Sequence, residues 1–129
     1  MDRSLATRAQ QIGRAASAFE QQRTGHGPKT VSVVLSGETL VITLRGALSP
    51  VEKALSKSPA AAAEMQEFHR RLFANSSDGL RQEIKRITGV EVREAHAEVE
   101  TAPGAVMQLF ATGTVVQVFL LSRSVAADA

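Results

Sequence analysis

The sequence predicts an α+β fold. A single domain holds an antiparallel sheet of four or five strands with a long helix packed on it, in the order α-β-β-α-α-β-β. Three observations lead there. Apolar residues recur at steps of three and four in an N-terminal segment and again between residues 61 and 87, the spacing of one helix face. They alternate at steps of two around residues 31–44, and β-branched residues crowd the last third, which is the pattern of strands. The chain has 129 residues, of which 43% are apolar, enough for one core and too few for two. The domain is placed at 1–123, and the small, polar end at 124–129 is read as a disordered tail.

The first helix rests on Leu5, Ala9, Ile12, Ala16 and Phe19, a narrow stripe rich in alanine. It must end near Thr24, because Gly25-His26-Gly27-Pro28 cannot continue it. A hairpin follows. Val31, Val33 and Leu35 alternate, Ser36-Gly37-Glu38 turns, and Leu40, Ile42 and Leu44 alternate again, with Val34 and Val41 adding apolar surface to the second face. In Ser49-Pro50-Val51-Glu52, Ser49 caps a short helix, Pro50 takes its first position and Glu52 reaches back. Ser58-Pro59 repeats the device. The next helix carries Ala61, Met65, Phe68, Leu72, Leu80, Ile84 and Ile87. Asn75-Ser76-Ser77-Asp78-Gly79 weakens its middle, but the stripe keeps phase, so one helix of about thirty residues and roughly 45 Å is favoured over two. Gly89 stops it. The remainder reads as strands: one from Val90 to Val99, one from Ala105 to Ala111 after the Pro103-Gly104 turn, and one from Thr114 to Leu121. Leu40, Ile42, Leu44, Leu72, Ile84 and Phe119 are the expected core. No internal repeat is present.

Composition excludes several kinds of chemistry. The chain has no Cys, and so no disulfide, Cys-ligated zinc, iron–sulfur cluster or thiol nucleophile. It has no Trp or Tyr and five Phe, too few for a base-stacking surface. Fifteen basic against thirteen acidic residues leave a net charge of +2, which is not a polyelectrolyte binder. Met1–Arg8 has no apolar core of a secretory signal. The most apolar stretch, 105–121, is short and interrupted by Gln108, Thr112, Gly113, Thr114 and Gln117, so direct membrane insertion is not expected and a cytoplasmic location is.

The candidate binding residues are His26, Lys29, Arg70, Arg71, His96 and Glu98. The loop Gly25-His26-Gly27-Pro28-Lys29 has the composition of an anion site. It precedes a strand, however, whereas phosphate loops open a helix, so a rigid turn is the simpler reading. His96 and Glu98 share one face of a strand and form a candidate metal or proton-relay pair. A charge-alternating exposed strand looks the same. The three histidines lack ligand spacing, so no metal and no cofactor is expected. Arg70 and Arg71, with Arg81, Lys85 and Arg86, make a basic helix face offset by Glu64, Glu67, Asp78 and Glu83. No Ser/His/Asp order, Walker loop or dinucleotide fingerprint appears, and catalysis is not expected.

Several segments taken together carry a resemblance. They are Gly25-His26-Gly27-Pro28-Lys29-Thr30-Val31, Leu44-Arg45-Gly46-Ala47-Leu48-Ser49-Pro50-Val51-Glu52, His69-Arg70-Arg71-Leu72, Ile87-Thr88-Gly89-Val90-Glu91-Val92 and His96-Ala97-Glu98-Val99. In this order and spacing, from about Leu5 to Leu121, the chain resembles the MpsC family of small bacterial proteins, named for a Na⁺-translocating, membrane-potential-generating system. It departs from the family pattern in three places. His26 stands where the family has arginine, Ser49 where it usually has threonine, and Glu98 where it tends to have aspartate. The segment from about Glu100 to Phe110 looks like extra length. The resemblance implies association with a membrane machinery for ion or inorganic-carbon uptake, without transport by this chain itself.

The expected function is therefore that of a non-enzymatic accessory or interaction module with a membrane-protein partner, peripheral to the inner membrane through that partner. A nucleic-acid-binding module using the basic helix face is the alternative; nucleic acid is not the expected partner. A homodimer is expected through one of three surfaces: the long helix with its off-stripe Phe73, the alanine-rich first helix, or an edge formed by the late strand of Val115, Val116, Val118 and Phe119.

Overall fold

The computed structural model describes residues 7–55, 57–99 and 114–125. The expected strand at 105–111 and turn at 103–104 lie outside them, as do Leu5 and residues 126–129. Eight elements follow in order: α1 (Arg8–Thr24), β1 (Thr30–Ser36), β2 (Thr39–Arg45), α2 (Pro50–Leu55), α3 (Pro59–Ser76), α4 (Asp78–Thr88), β3 (Val92–Val99) and β4 (Val115–Leu121). The fold is α+β and every strand pair is antiparallel.

Local chemistry sets the helix ends. Thr7 and Gln10 form a capping box, the Gln10 N–H donating to Thr7 Oγ1 at 3.1 Å and the Thr7 N–H to Gln10 Oε1 at 2.9 Å. The Gly25 N–H closes the other end of α1 on the Gln21 carbonyl at 2.8 Å. Ser58 caps α3 with Pro59 in its first turn, and Gly89 ends α4. The predicted long helix is divided at Ser77. The Ser76 hydroxyl bonds back to the Leu72 carbonyl, an interaction that loosens and bends helices. Three residues further on, Gly79 lets Phe19 of α1 press in: a Cβ there would lie 2.5 Å from the Phe19 ring. The division lets α3 lie along β3 while α4 lies along α1.

The sheet order is β1-β2-β4-β3. One row across it, Val33, Ile42, Gln117 and Ala97, faces the helices, and the next, Val34, Val41, Val118 and His96, faces outward. Leu40, Ile42, Leu44, Ile84 and Phe119 are fully buried as expected, each such burial contributing about 1.5–3 kcal/mol. Two expectations are corrected. Leu72 is only half-buried, and Phe73, assigned to an outer surface, lies in the core with its ring centroid 5.9 Å from that of Phe119. The buried row of α3 is Met65, His69 and Phe73, a line of four-residue steps, while Phe68 turns to solvent. The late strand β4 has no free edge, because it sits between β2 and β3. Its nearly continuous apolar run suits a central strand, buried at Val115, Gln117, Phe119 and Leu121 on the helix side and half-buried at Val118 and Leu120 on the outer one.

Charge is also built into the core. Glu20 is fully buried and ion-paired with Arg23, whose guanidinium lies 5.5 Å from the Phe73 ring centroid. The second Glu20 oxygen and the Gln117 amide have no hydrogen-bond partner among the described residues, at a cost of about 1–3 kcal/mol for each such group. At the far end Val125 is half-buried against the core, and its N–H donates to the Gly37 carbonyl at 3.3 Å.

Candidate functional site

The segments that carry motifs converge where β2 ends. Gly46 sits at φ 67°, a conformation glycine adopts without strain, and a Cβ there would lie 2.8 Å from the Lys29 side chain. The Lys29 N–H donates to the Arg45 carbonyl at 2.8 Å, and His26 Nε2 donates to the Gly46 carbonyl at 3.2 Å. His26 and Lys29 thus fasten the α1–β1 loop to the end of β2. The buried Ala47 and Leu48 then carry the chain under the core to Ser49.

Ser49 and Glu52 form the predicted capping box. The Ser49 N–H donates to Glu52 Oε1 at 3.0 Å, and the Glu52 N–H donates to Ser49 Oγ at 3.3 Å. The second Glu52 oxygen has a further partner, His69 Nε2 of α3, at 3.0 Å. His69 is 7% exposed and Glu52 25% exposed, and Phe68 stands edge-on to the imidazole at 5.7 Å. Burial pushes the Glu52 carboxyl up, but the Ser49 N–H and His69 outweigh it and hold the group below its ordinary 4.5. One carboxylate therefore starts α2 and pins it to α3. Ser49, Glu52 and His69 stand with the carboxylate in the middle, whereas hydrolytic triads need the imidazole there. This geometry orients and fastens; it does not activate the serine.

Beside this pair runs a groove of about 420 Å³ lined by Glu52, Leu55, Ala61, Glu64, Met65 and Phe68. Its apolar lip is exposed: Leu55 is 52% and Phe68 57% accessible, and Val51 on the same short helix is 69% accessible.

The second cluster lies at the edge formed by α3 and β3. Arg70 Nε donates to both Glu98 oxygens, at 2.8 and 3.1 Å, and Nη1 donates to Glu67 at 3.0 Å. Arg71 also donates to Glu67, at 3.0 Å. His96 is 70% exposed, with Nε2 3.5 Å from Glu94. A cavity of about 230 Å³ is bounded by Arg70, Phe73, Ala74, Ala95, His96, Ala97 and Glu98. The structure thus brings Arg70, His96 and Glu98 together, whereas His26 and Lys29 belong to the loop junction. His96 and Glu98 face outward, each with its own ionic neighbour. Among the described residues no group of three or more His, Asp or Glu is placed to hold a metal. Further along, Lys85 pairs with Glu91 at 2.8 Å and Arg86 with Glu83 at 2.9 Å.

The residue that sequence reading missed is His69 as the partner of Glu52. The four-residue steps Met65, His69 and Phe73 were a usable signal, and they place a histidine on the inner line of α3.

A family model described as "Na+-translocating membrane potential-generating system (MpsC)" matches residues 6–121. A relative from Bacillus subtilis (strain 168), "Uncharacterized protein YbcI", is 22% identical over 110 residues, which is 85% of this chain and 89% of the relative. No solved structure matches.

Proposed function

The chain belongs to the MpsC family, and on that premise we propose that it is a non-catalytic accessory module that binds a membrane-embedded partner of a Na⁺-translocating, membrane-potential-generating system. No helix among the described residues is long and apolar enough to cross a membrane, and the reading gives the spanning work to the partner. The observation that carries it is the apolar lip of the α2–α3 groove. Val51, Leu55 and Phe68 are three of the four large exposed hydrophobic residues among those described. Leu55 and Phe68 both line the groove, and Val51 lies one turn before Leu55 on α2; exposed apolar side chains grouped in this way mark interaction sites, and Phe68 suits an anchor. The Ser49–Glu52–His69 bonds hold the lip rigid, which lowers the ordering cost of binding.

The nucleic-acid alternative needs a free basic face on α3 and α4. Arg70, Arg71, Lys85 and Arg86 each have an acidic partner, which weakens the pull on phosphates that such binding rests on. A pull-down from the native membrane fraction, read by mass spectrometry, tests the proposal. Enrichment of one integral membrane protein is expected. Recovery of nucleic acid in a salt-dependent manner, with no membrane protein, overturns it.

A further inference from the structure

The two edges of the sheet are built differently. β3 is guarded in the ways edge strands usually are. It carries Arg93, Glu94 and Glu98, its pairing with β4 is irregular between Val92 and Glu94, and Glu98 is held by Arg70 of α3. Arg45 of β2 donates to Ser32 Oγ of β1 at 2.9 Å from the inner side of the edge, but β1 itself carries no charge and no irregularity. Its sequence Thr-Val-Ser-Val-Val-Leu-Ser holds no charge and no proline, and it pairs with β2 without a bulge from Thr30↔Arg45 to Ser36↔Thr39. No strand lies on its other side among the described residues. Ser32, Val34 and Ser36 are exposed on its outer face, Val34 by 61%. On the helix side, α1 presents small residues to it. Ala9, Gly13 and Ser17 bound a groove of about 470 Å³ with Val31, Val33 and Arg14.

We propose that β1 is a homotypic interface: it pairs antiparallel with β1 of a second copy about a two-fold axis perpendicular to the sheet. An open edge strand presents main-chain donors and acceptors, which another strand satisfies. A second copy fits because an uncharged strand is complementary to itself; no register brings like charges on β1 opposite one another. The perpendicular axis keeps Val31, Val33 and Leu35 on the helix side of both copies and Ser32, Val34 and Ser36 on the outer side. It also brings the two α1 helices side by side, where the Ala9, Gly13 and Ser17 faces allow close approach. Arg14, the one charged residue lining that groove, has a stem long enough to carry its charge to solvent. This surface belongs to other elements than the α2–α3 groove and does not rest on the membrane-partner reading.

Light scattering at micromolar concentration tests it. The native chain is expected at twice its 13.7 kDa mass. Val34→Lys, at an exposed position, is expected to halve that mass with an unchanged circular-dichroism spectrum, while His96→Lys on the guarded edge leaves it dimeric. A monomeric native chain, a dimeric Val34→Lys, or a monomeric His96→Lys each overturns the proposal. The chain has no cysteine of its own, so the double variant Ser32→Cys/Val34→Cys gives a second reading. The axis is placed at the middle of β1, on Val33 or Val34, where a cysteine faces a cysteine across it, within disulfide reach. Oxidation is expected to give a covalent dimer. A chain that stays monomeric on denaturing gels contradicts the pairing.

Discussion

The corner between α2 and α3 and the edge of β3 each pair a histidine with carboxylates, and they do opposite things with them. At the corner, Glu52 and His69 are mostly out of water, share a 3.0 Å contact and tie two helices together. At the edge, His96 is 70% exposed beside Glu94, and Glu98 is held by an arginine that is itself 44% exposed. Solvent screens the second set, and ion pairs of that kind contribute about 0–1 kcal/mol. Residue type alone does not separate the two. Position on the element does: His69 is on the inner line of α3, while His96 is on the outer face of β3.

The largest effect expected from this contrast is on His69. His69→Ala removes a buried ring and leaves the half-buried Glu52 carboxylate without it, so unfolding stability should fall by about 2–4 kcal/mol. Chemical denaturation measures this, and a loss below about 0.5 kcal/mol would put the corner in the same class as the edge. Ser49→Ala removes the cap but spares the Glu52–His69 contact, and should cost about 0.5–2 kcal/mol with partner binding kept. Unchanged stability with lost binding would instead make Ser49 part of a recognition site.

Acid titration sharpens the contrast without deleting a side chain. Glu52 is held below 4.5 in the folded protein, so folding favours its ionised form. Its contribution is complete above the unfolded value near 4.5 and is lost as pH falls through the lower folded value. Glu83 and Glu91 shift the same way, through Arg86 and Lys85. Stability should therefore decline below pH 4.5, and less steeply in Glu52→Gln. An equal slope in the two proteins would mean that the corner does not contribute. The smallest effect is expected at the edge: His96→Ala with Glu98→Ala should change stability by less than about 1 kcal/mol in total.

Much of the fold was legible in the sequence. The hairpin 31–44 announces itself by alternation, α1 by its apolar stripe and the Gly25–Pro28 stop, and α2 and α3 by their caps, because those signals are local. The division at Ser77 was not legible from periodicity. The buried row Met65, His69, Phe73, Ser77, Leu80 and Ile84 runs straight through it, and the break comes from the Ser76 back-bond and the pressure of Phe19 on Gly79. Strand order was not legible either. The inner place of β4 follows from its pairing with both β2 and β3, although its apolar run was a hint. At the site, Glu52 could be read as a cap from Ser49 three residues away. Its contact with His69, seventeen residues on, exists only once α2 folds against α3. The cluster of Arg70, His96 and Glu98 was named residue by residue, but its exposed and ion-paired character depends on where α3 crosses β3.

We propose the corner, with its apolar lip, as the face that meets the partner, and the β3 edge as solvated surface. Co-sedimentation with native membrane vesicles tests it most directly, using the wild-type chain, Leu55→Ser/Phe68→Ser and His96→Ala/Glu98→Ala, each shown folded by circular dichroism. The first double variant should lose at least tenfold in membrane-bound fraction at limiting vesicle concentration, and the second should match wild type. Full binding by Leu55→Ser/Phe68→Ser, with loss in His96→Ala/Glu98→Ala, would move the binding face to the edge of β3.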